Sequence, residues 1–514
     1  MPRINYTTIT NDFINDGFFS EYLPPSFSIY NDFDSCSVSL AESNDYIAPM
    51  SFNMSRFTED GKRRIIYIPE FSSYIKVVKF MKENDLIKDL INLSDSEHSF
   101  SPLIQRNGEL TRHERCYNYG ITIDDADQDA FKSTYIPNVV EKICRGKGAK
   151  GVLSLDIANF YPSIYTHLIP CIKLGYEEAE QQYKITKANN ADPNIKDEYR
   201  KYVHLDELIR NMNIGRTNGI LPGTLISQFI AEAVLCRIDN ELEQLGVNFV
   251  RYVDDFEIYI YDEQEINKIQ NSVSKVLNKY SLTLNNEKTK YSPFPYYVIE
   301  NLEKIYNEYL GKTLDETDFM EMFNTFFKLE SNGTKGAIRF LVKSLNEAFA
   351  TPNDELLLSY LLNILVNDSR SLVKVCELLI ERNADLSHGD YMELIESLIE
   401  KNANDNNQLE TVWLLYIRKK LFNKKISAKI ANMIATSNNE LAKVILVEEF
   451  GGYLTEAVKR KIIQNASTWL LCYQLFYHDY ITKAEFSNRT HITKNLAFYA
   501  RLKRENFSFY KAES

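Results

Sequence analysis

Two aspartates stand side by side, Asp254 and Asp255, in the stretch FVRYVDDFEIYI, Phe249–Ile260. β-Branched and aromatic residues dominate both flanks, and the two acids between them fit the loop of a tight hairpin. Asp is a common turn residue, so the pair alone requires no chemistry. A third acid changes the balance. Asp156 closes the apolar run of GVLSLDIANFY (151–161), which reads as a buried strand after the Gly-rich basic lead CRGKGAKG. If the two strands are neighbours, three carboxylates meet, and their repulsion makes sense only with a cation among them. Acids from two separate strands are what nucleotidyl transfer by the two-metal route needs. One Mg²⁺ activates the attacking oxygen and the other stabilises the departing pyrophosphate, with Mn²⁺ as a substitute ion.

The rest of the chain bounds the setting. Its 514 residues are enough for about two to four domains and a large core. With 44% apolar and 25% charged residues it is an ordinary globular chain, which excludes long disorder or a collagen-like repeat. A net charge of −12 argues against a surface that grips a long duplex throughout, yet leaves room for a local basic channel. The seven cysteines show no C-x-x-C and no close pairing, which predicts free thiols in a reducing cytoplasm. The seven histidines have no zinc spacing. No apolar leader opens the chain and no run of about 18 apolar residues follows, so neither a signal peptide nor a membrane span is expected.

Several elements must position the acids. RRIIYIPEF reads as a short strand ended by Pro69, and residues 176–213 read as helical. A Pro-Gly turn at Pro222 and Gly223 opens a long amphipathic helix before the hairpin, and a further helix over 263–280 leads to LTLNNEKTKYS. Beyond residue 296 the character changes, with Pro and Gly rare. Helical patterns start near 335, 354, 369, 390, 406, 425, 438, 454 and 467. Taken in pairs they recur every 29 to 37 residues, which suggests stacked helix pairs, with a compact helical bundle as the alternative.

Over residues 55–295 these pieces, in this order, resemble reverse transcriptases. GKRRIIYIPE is similar to the fingers segment of that family, SLDIANFY to its motif A, LPGTLIS to motif B, YVDD to motif C and LTLNNEKT to motif D. The resemblance implies Arg64, with Arg56 as a second contact, on the incoming triphosphate. It implies Tyr161 as the steric gate against a ribose 2′-OH and Gly223 and Ser227 at the substrate. Lys288 would donate a proton near the pyrophosphate. Surface charge remains the alternative for Lys288 and Arg56, and plain core packing for Tyr161. Motif B departs from the family where the template is contacted: Pro222 replaces the usual Gln, and Gln228 the usual Pro.

The fold class this implies is an α+β polymerase palm and fingers followed by an all-α helical-repeat (HEAT-like) domain. Its parts are an N-terminal extension over 1–50, fingers and palm over 51–295, and helical repeats over 296–514. A reverse transcriptase-like core with such a tail, and LPPSF near the start, most resembles the bacterial abortive-infection reverse transcriptases of the AbiK kind. That likeness implies phage defence in the cytoplasm by template-independent DNA synthesis from dNTPs. It also implies a nascent single strand covalently attached to a protein tyrosine, in a homo-oligomer, a trimer or hexamer, with no membrane partner. A priming tyrosine must be mobile, so Tyr6, Tyr22, Tyr30 and Tyr46 of the N-terminal stretch, which reads as loosely structured, are the candidates. Template-directed, retron-like synthesis and a non-enzymatic scaffold are the alternatives.

Overall fold

The computed structural model describes residues 6–15, 17–29, 39–57, 62–103, 109–110, 117–118, 135–298, 300–310, 312–345, 349–382, 391–422 and 425–511. After α1 (Tyr6–Asn15) comes an antiparallel hairpin of β1 (Met50–Phe57) and β2 (Arg63–Ile68), which Pro69 ends. Glu70 caps α2 (Phe71–Glu83) by accepting the N–H groups of Ser72 and Ser73. Then follow α3 (Leu86–Leu93), a two-residue ladder of β3 (Glu109–Leu110) with β4 (Tyr117–Asn118), and α4 (Tyr135–Arg145). The central sheet comprises β5 (Gly151–Asp156), β6 (Phe249–Tyr252), β7 (Asp255–Ile260) and β8 (Lys290–Pro293). Its order is β6–β7–β5–β8, with all neighbours antiparallel. Between β5 and β6 run α5 (Phe160–Ser163), α6 (Ile169–Leu174), α7 (Tyr176–Ala188), α8 (Asp197–Met212) and α9 (Leu225–Gln244); α10 (Ile266–Lys279) joins β7 to β8.

Two local expectations are corrected here. The hairpin turn falls one residue early: Val253 and Asp254 form the loop, and Asp255 opens β7 opposite Tyr252. The reason is register, since β7 also pairs with β5 and sets Asp255 opposite Asp156. The long helix α9 is buried on nearly every side and not amphipathic, packing among α3, α6 and α10. Its inward acids, Glu232 and Asp239, pair with Arg251 of β6. An acid on a helix reads as solvent-facing when its partner lies on a strand the sequence has not yet reached.

The C-terminal region is helical. It contains α11 (Leu302–Asn307), α12 (Glu316–Ser331), α13 (Ala337–Ser344), α14 (Asp354–Asn367), α15 (Leu372–Glu381), α16 (Tyr391–Asn404) and α17 (Gln408–Phe422). After these come α18 (Ala428–Thr436), α19 (Glu440–Phe450), α20 (Glu456–Gln464), α21 (Trp469–Tyr477), α22 (Lys483–Thr490) and α23 (Leu496–Arg504). The nine periodic starts meet α13 to α21. Helices α13, α15, α17, α19 and α21 stack in one row and α16, α18 and α20 in a second. The first row is sandwiched, so α17, α19 and α21 are buried almost all round. Among the described residues no helix is long and apolar enough to cross a membrane.

The N-terminal stretch also departs from expectation, because residues 17–29 are packed and not loose. Phe18 meets Phe71, Tyr74, Trp469 and Phe509 ring to ring, and Phe27 meets Tyr510. Trp413 Nε1 donates to the Tyr22 carbonyl at 2.8 Å, and Leu225 N–H to the Gly17 carbonyl at 2.9 Å. A Cβ on Gly17 would stand 2.6 Å from Leu225 Cβ, so only glycine permits this approach. The aromatic content that obscured any helix or strand period serves as a joint between the sheet domain and the helical rows.

Candidate active site

The three acids meet at one end of the central sheet. Asp156 is paired directly with Asp255 across β5 and β7, and Asp254 precedes it in the turn. The end of β5 is tied down by backbone bonds: Ile157 N–H to the Asp254 carbonyl (3.3 Å), Ala158 N–H to Thr283 (2.9 Å), and Asn285 N–H to the Asp156 carbonyl (2.8 Å). The loop containing Lys288 is thereby anchored beside Asp156. Lys288 Nζ lies 3.2 Å from Asp156 Oδ2, and Asn285 Nδ2 donates to the same oxygen at 3.1 Å.

The electrostatics record crowded negative charge. Burial, then the charge of Asp156, raises Asp254 above the ordinary carboxylate range, against a backbone hydrogen bond and the opposing charges of Arg64 and Lys288. Partial burial, then the charges of Asp254 and Asp156 and a hydrogen bond with Asp156, push Asp255 up to about 7, although the residue stays open to solvent. Among the described residues no three acid, His or Cys side chains are drawn to a spacing that would hold an ion unaided, Asp156 being engaged by Lys288 and Asn285. The donor chemistry nevertheless fits a divalent cation. All three groups are hard oxygen ligands, two on adjoining strands and one in the turn beside them, and the charge they leave unbalanced is what such an ion neutralises.

The other expected residues divide. Arg64, exposed on β2, is close enough for its charge to act on Asp254, while its neighbour Arg63 turns away to pair with Glu410 at 2.8 Å. Arg56 belongs to β1, but its side chain lies outside the described residues. Tyr161 is half-buried at the start of α5, and burial, then Asp254, then Glu232, Tyr22 and Glu21 raise its hydroxyl above the usual phenol range. Gly223, at φ +120°, lets the loop before α9 press on β2: an added Cβ would lie 2.5 Å from Ile66 Cγ2. Tyr67 N–H donates to the Pro222 carbonyl beside it at 2.9 Å. Ser227 is buried in the first turn of α9, where Thr224 Oγ1 donates to its hydroxyl at 3.1 Å.

Among the tyrosines, Tyr22 lies near Tyr161. Tyr6 packs on α1 beneath Lys88, Tyr46 is exposed beside Gly215, and Tyr30 lies outside the described residues. Residues the motifs did not single out are Asn285, which holds Asp156, and Arg251 with Ser101, which hold the turn. Their signals were thin: the first of two adjacent Asn, three before Lys288, and a lone charge inside an apolar strand.

Residues 84–314 match the family described as reverse transcriptase (RNA-dependent DNA polymerase). The chain carries a reverse transcriptase domain. By that family it is a domain of the nucleotidyltransferase class of DNA polymerases. The chain is also similar to Retron Ec48 reverse transcriptase of Escherichia coli, 25% identical over 148 residues. That stretch is 28% of this chain and 31% of the relative, so the match spans about a third of the relative's length. Two telomerase structures show partial likeness. Apo telomerase from Candida tropicalis has a TM-score of 0.33 at 14% identity, covering 74% of this chain and 70% of that one. Telomerase from Candida albicans in complex with a fragment of telomeric RNA has a TM-score of 0.27 at 11% identity, covering 82% and 65%.

Proposed function

We propose that this chain is an anti-phage DNA polymerase of reverse transcriptase type that extends DNA from dNTPs without a template, primed by its own tyrosine. The observation that carries the polymerase assignment is the cross-strand pairing of Asp156 with Asp255, with Asp254 in the adjoining turn and Lys288 against Asp156. Asp156, Asp254 and Asp255 would hold two Mg²⁺ ions, which when bound activate the attacking oxygen and stabilise the pyrophosphate. Arg64 binds the triphosphate, aided by Arg56; Tyr161 fills the space a ribose 2′-OH would need; Lys288 gives a proton to the departing pyrophosphate. Gly223 and Ser227 contact the substrate, Gly223 from the loop that presses on β2 and Ser227 from the first turn of α9.

Tyr22 is the priming residue we favour. Its nearness to Tyr161 supports it over Tyr6 and Tyr46: the strap around it is packed, so a half-buried side chain placed near Tyr161 stands in place of the mobility expected of a primer. In the first step the Tyr22 phenolic oxygen forms a bond to the α-phosphorus, the α–β phosphoanhydride bond breaks, pyrophosphate leaves, and the phenol proton passes to solvent. The HEAT-like stacking of α13 to α21 and a homo-oligomeric assembly belong to the same proposal. RNA-templated synthesis is the second reading, favoured by the description of the matched family and by the retron relative. Purified full chain, labelled dNTPs and Mg²⁺, with and without added RNA, distinguish them. We expect a protein-linked ladder without nucleic acid and, after nuclease digestion, a nucleotide adduct on the Tyr22 peptide by mass spectrometry. Synthesis only with RNA, released free of protein, would replace the first reading by the second.

A further inference from the structure

The turn bearing Asp254 is held in a conformation its sequence disfavours. Val253 has φ +53°, in the left-handed region, where a β-branched residue is a genuine outlier. Such strain persists only where the surroundings over-determine it. Here both polar groups of Val253 are gripped from different elements. Its N–H donates to Ser101 Oγ at 2.7 Å, and its carbonyl accepts from Arg251 Nη1 at 2.9 Å.

Arg251 is itself fully buried and spends every donor it has. Nε and Nη2 donate to the two oxygens of Asp239 at 2.8 and 2.7 Å. Nη1 and Nη2 donate to those of Glu232 at 3.0 and 2.9 Å, and the remaining Nη1 proton goes to Val253. The carboxylates are completed by Ser99 Oγ to Glu232 (2.7 Å) and Ser96 Oγ to Asp239 (2.9 Å). These serines, with Ser101, come from a segment that pairs alongside β6, where Phe100 N–H donates to the Arg251 carbonyl at 2.7 Å. Two bidentate forks leave the guanidinium no freedom to rotate. Its fifth donor therefore points at a fixed place.

We propose that Arg251 and Ser101 are positioning residues that clamp Val253 in its left-handed conformation and so aim Asp254 at the cation site. The proposal rests on the polymerase reading, with Asp254 as a metal ligand. Glycine adopts a positive φ without strain, which gives a test that separates a clamp from a mere structural brace. Full-length wild type, Ser101→Ala, Val253→Gly, their double variant and Arg251→Lys are compared by Mn²⁺ binding, read as the loss of free-ion EPR signal, by nucleotide incorporation and by thermal melting. Ser101→Ala should weaken Mn²⁺ binding and incorporation about 10- to 100-fold, as loss of an outer-shell partner does, with little change in melting. Val253→Gly in that background should restore most of both. Arg251→Lys should lose both, and if it does not fold, the Ser101 pair decides. Unaltered Mn²⁺ binding in Ser101→Ala, or no restoration by Val253→Gly, would overturn the clamp. A wild type that incorporates no nucleotide with any template would overturn the polymerase reading instead, and the Mn²⁺ titration would still decide the clamp.

Discussion

The sheet end and the helical rows both bury charge, and they do so to different ends. In the helical region the buried acids among the described residues each have a hydrogen-bond or ion-pair partner, although burial still raises Glu449. Glu440 accepts four hydrogen bonds from Ser467 and Thr468, Glu410 pairs with Arg63, Arg418 pairs with Glu396, and Glu449 accepts from the Tyr510 hydroxyl. At the sheet end three carboxylates face one another against Lys288 and the exposed Arg64, and two of the three are raised. Satisfied buried charge marks a joint. Crowded, under-compensated charge marks a place where an ion and a reaction belong.

That contrast can be broken most sharply by exchanging its terms. Asp156→Asn should lower nucleotide incorporation at least about a thousandfold and leave the melting temperature nearly unchanged, because the group serves a ligand and not the fold. Glu440→Gln should do the reverse, keeping incorporation while costing about 1–3 kcal/mol of stability, since the amide cannot accept all four bonds. Equal stability losses in the two variants would erase the distinction. A comparable structural effect is expected at the joint between β2 and α17. Glu410→Gln removes the carboxylate that accepts from Arg63 at a nearly buried position, at a cost of about 1–3 kcal/mol, readable by denaturant unfolding.

The chemistry was more legible in the sequence than the architecture that supports it. Asp156, Asp254 and Asp255 sit in short apolar runs whose period and turn residues are local, so their convergence follows once the strands are neighbours. The helix starts of α13 to α21 were likewise readable from apolar period. Arg251 was not, because its meaning depends on Glu232 and Asp239 one helix earlier and on Ser99 and Ser101 far upstream. Residues 17–29 misled for a related reason: a strap with no regular period looks loose until the surfaces that cover Phe18 and Phe27 are known.

Smaller effects sharpen the account of the cleft. Tyr161→Ala should reduce the preference for dNTPs over rNTPs by about tenfold to a hundredfold in competition assays, and unchanged discrimination would return Tyr161 to plain core packing. Asp255 gives the smallest and most specific signal. Its folded pKa of about 7 lies above its unfolded value of about 3.9, so the native state binds the extra proton. Stability is therefore lost as pH rises between those values and stays lost above 7 when no divalent ion is present. Asp255→Asn should melt higher than wild type at pH 8 by about 1 kcal/mol, the exposed side chain being partly screened, with the difference gone by about pH 4. Saturating Mg²⁺ should reverse the order at pH 8 by stabilising only the wild type.

The most direct measurement is incorporation of labelled dNTPs by the purified full chain in Mg²⁺, wild type beside Asp254→Asn, each first verified as folded by its melting curve. With no nucleic acid added, the wild type should yield protein-linked DNA and the variant none. Equal signal from both proteins, or none from wild type even when RNA or DNA templates are supplied, would contradict the assignment of this sheet end as a polymerase site.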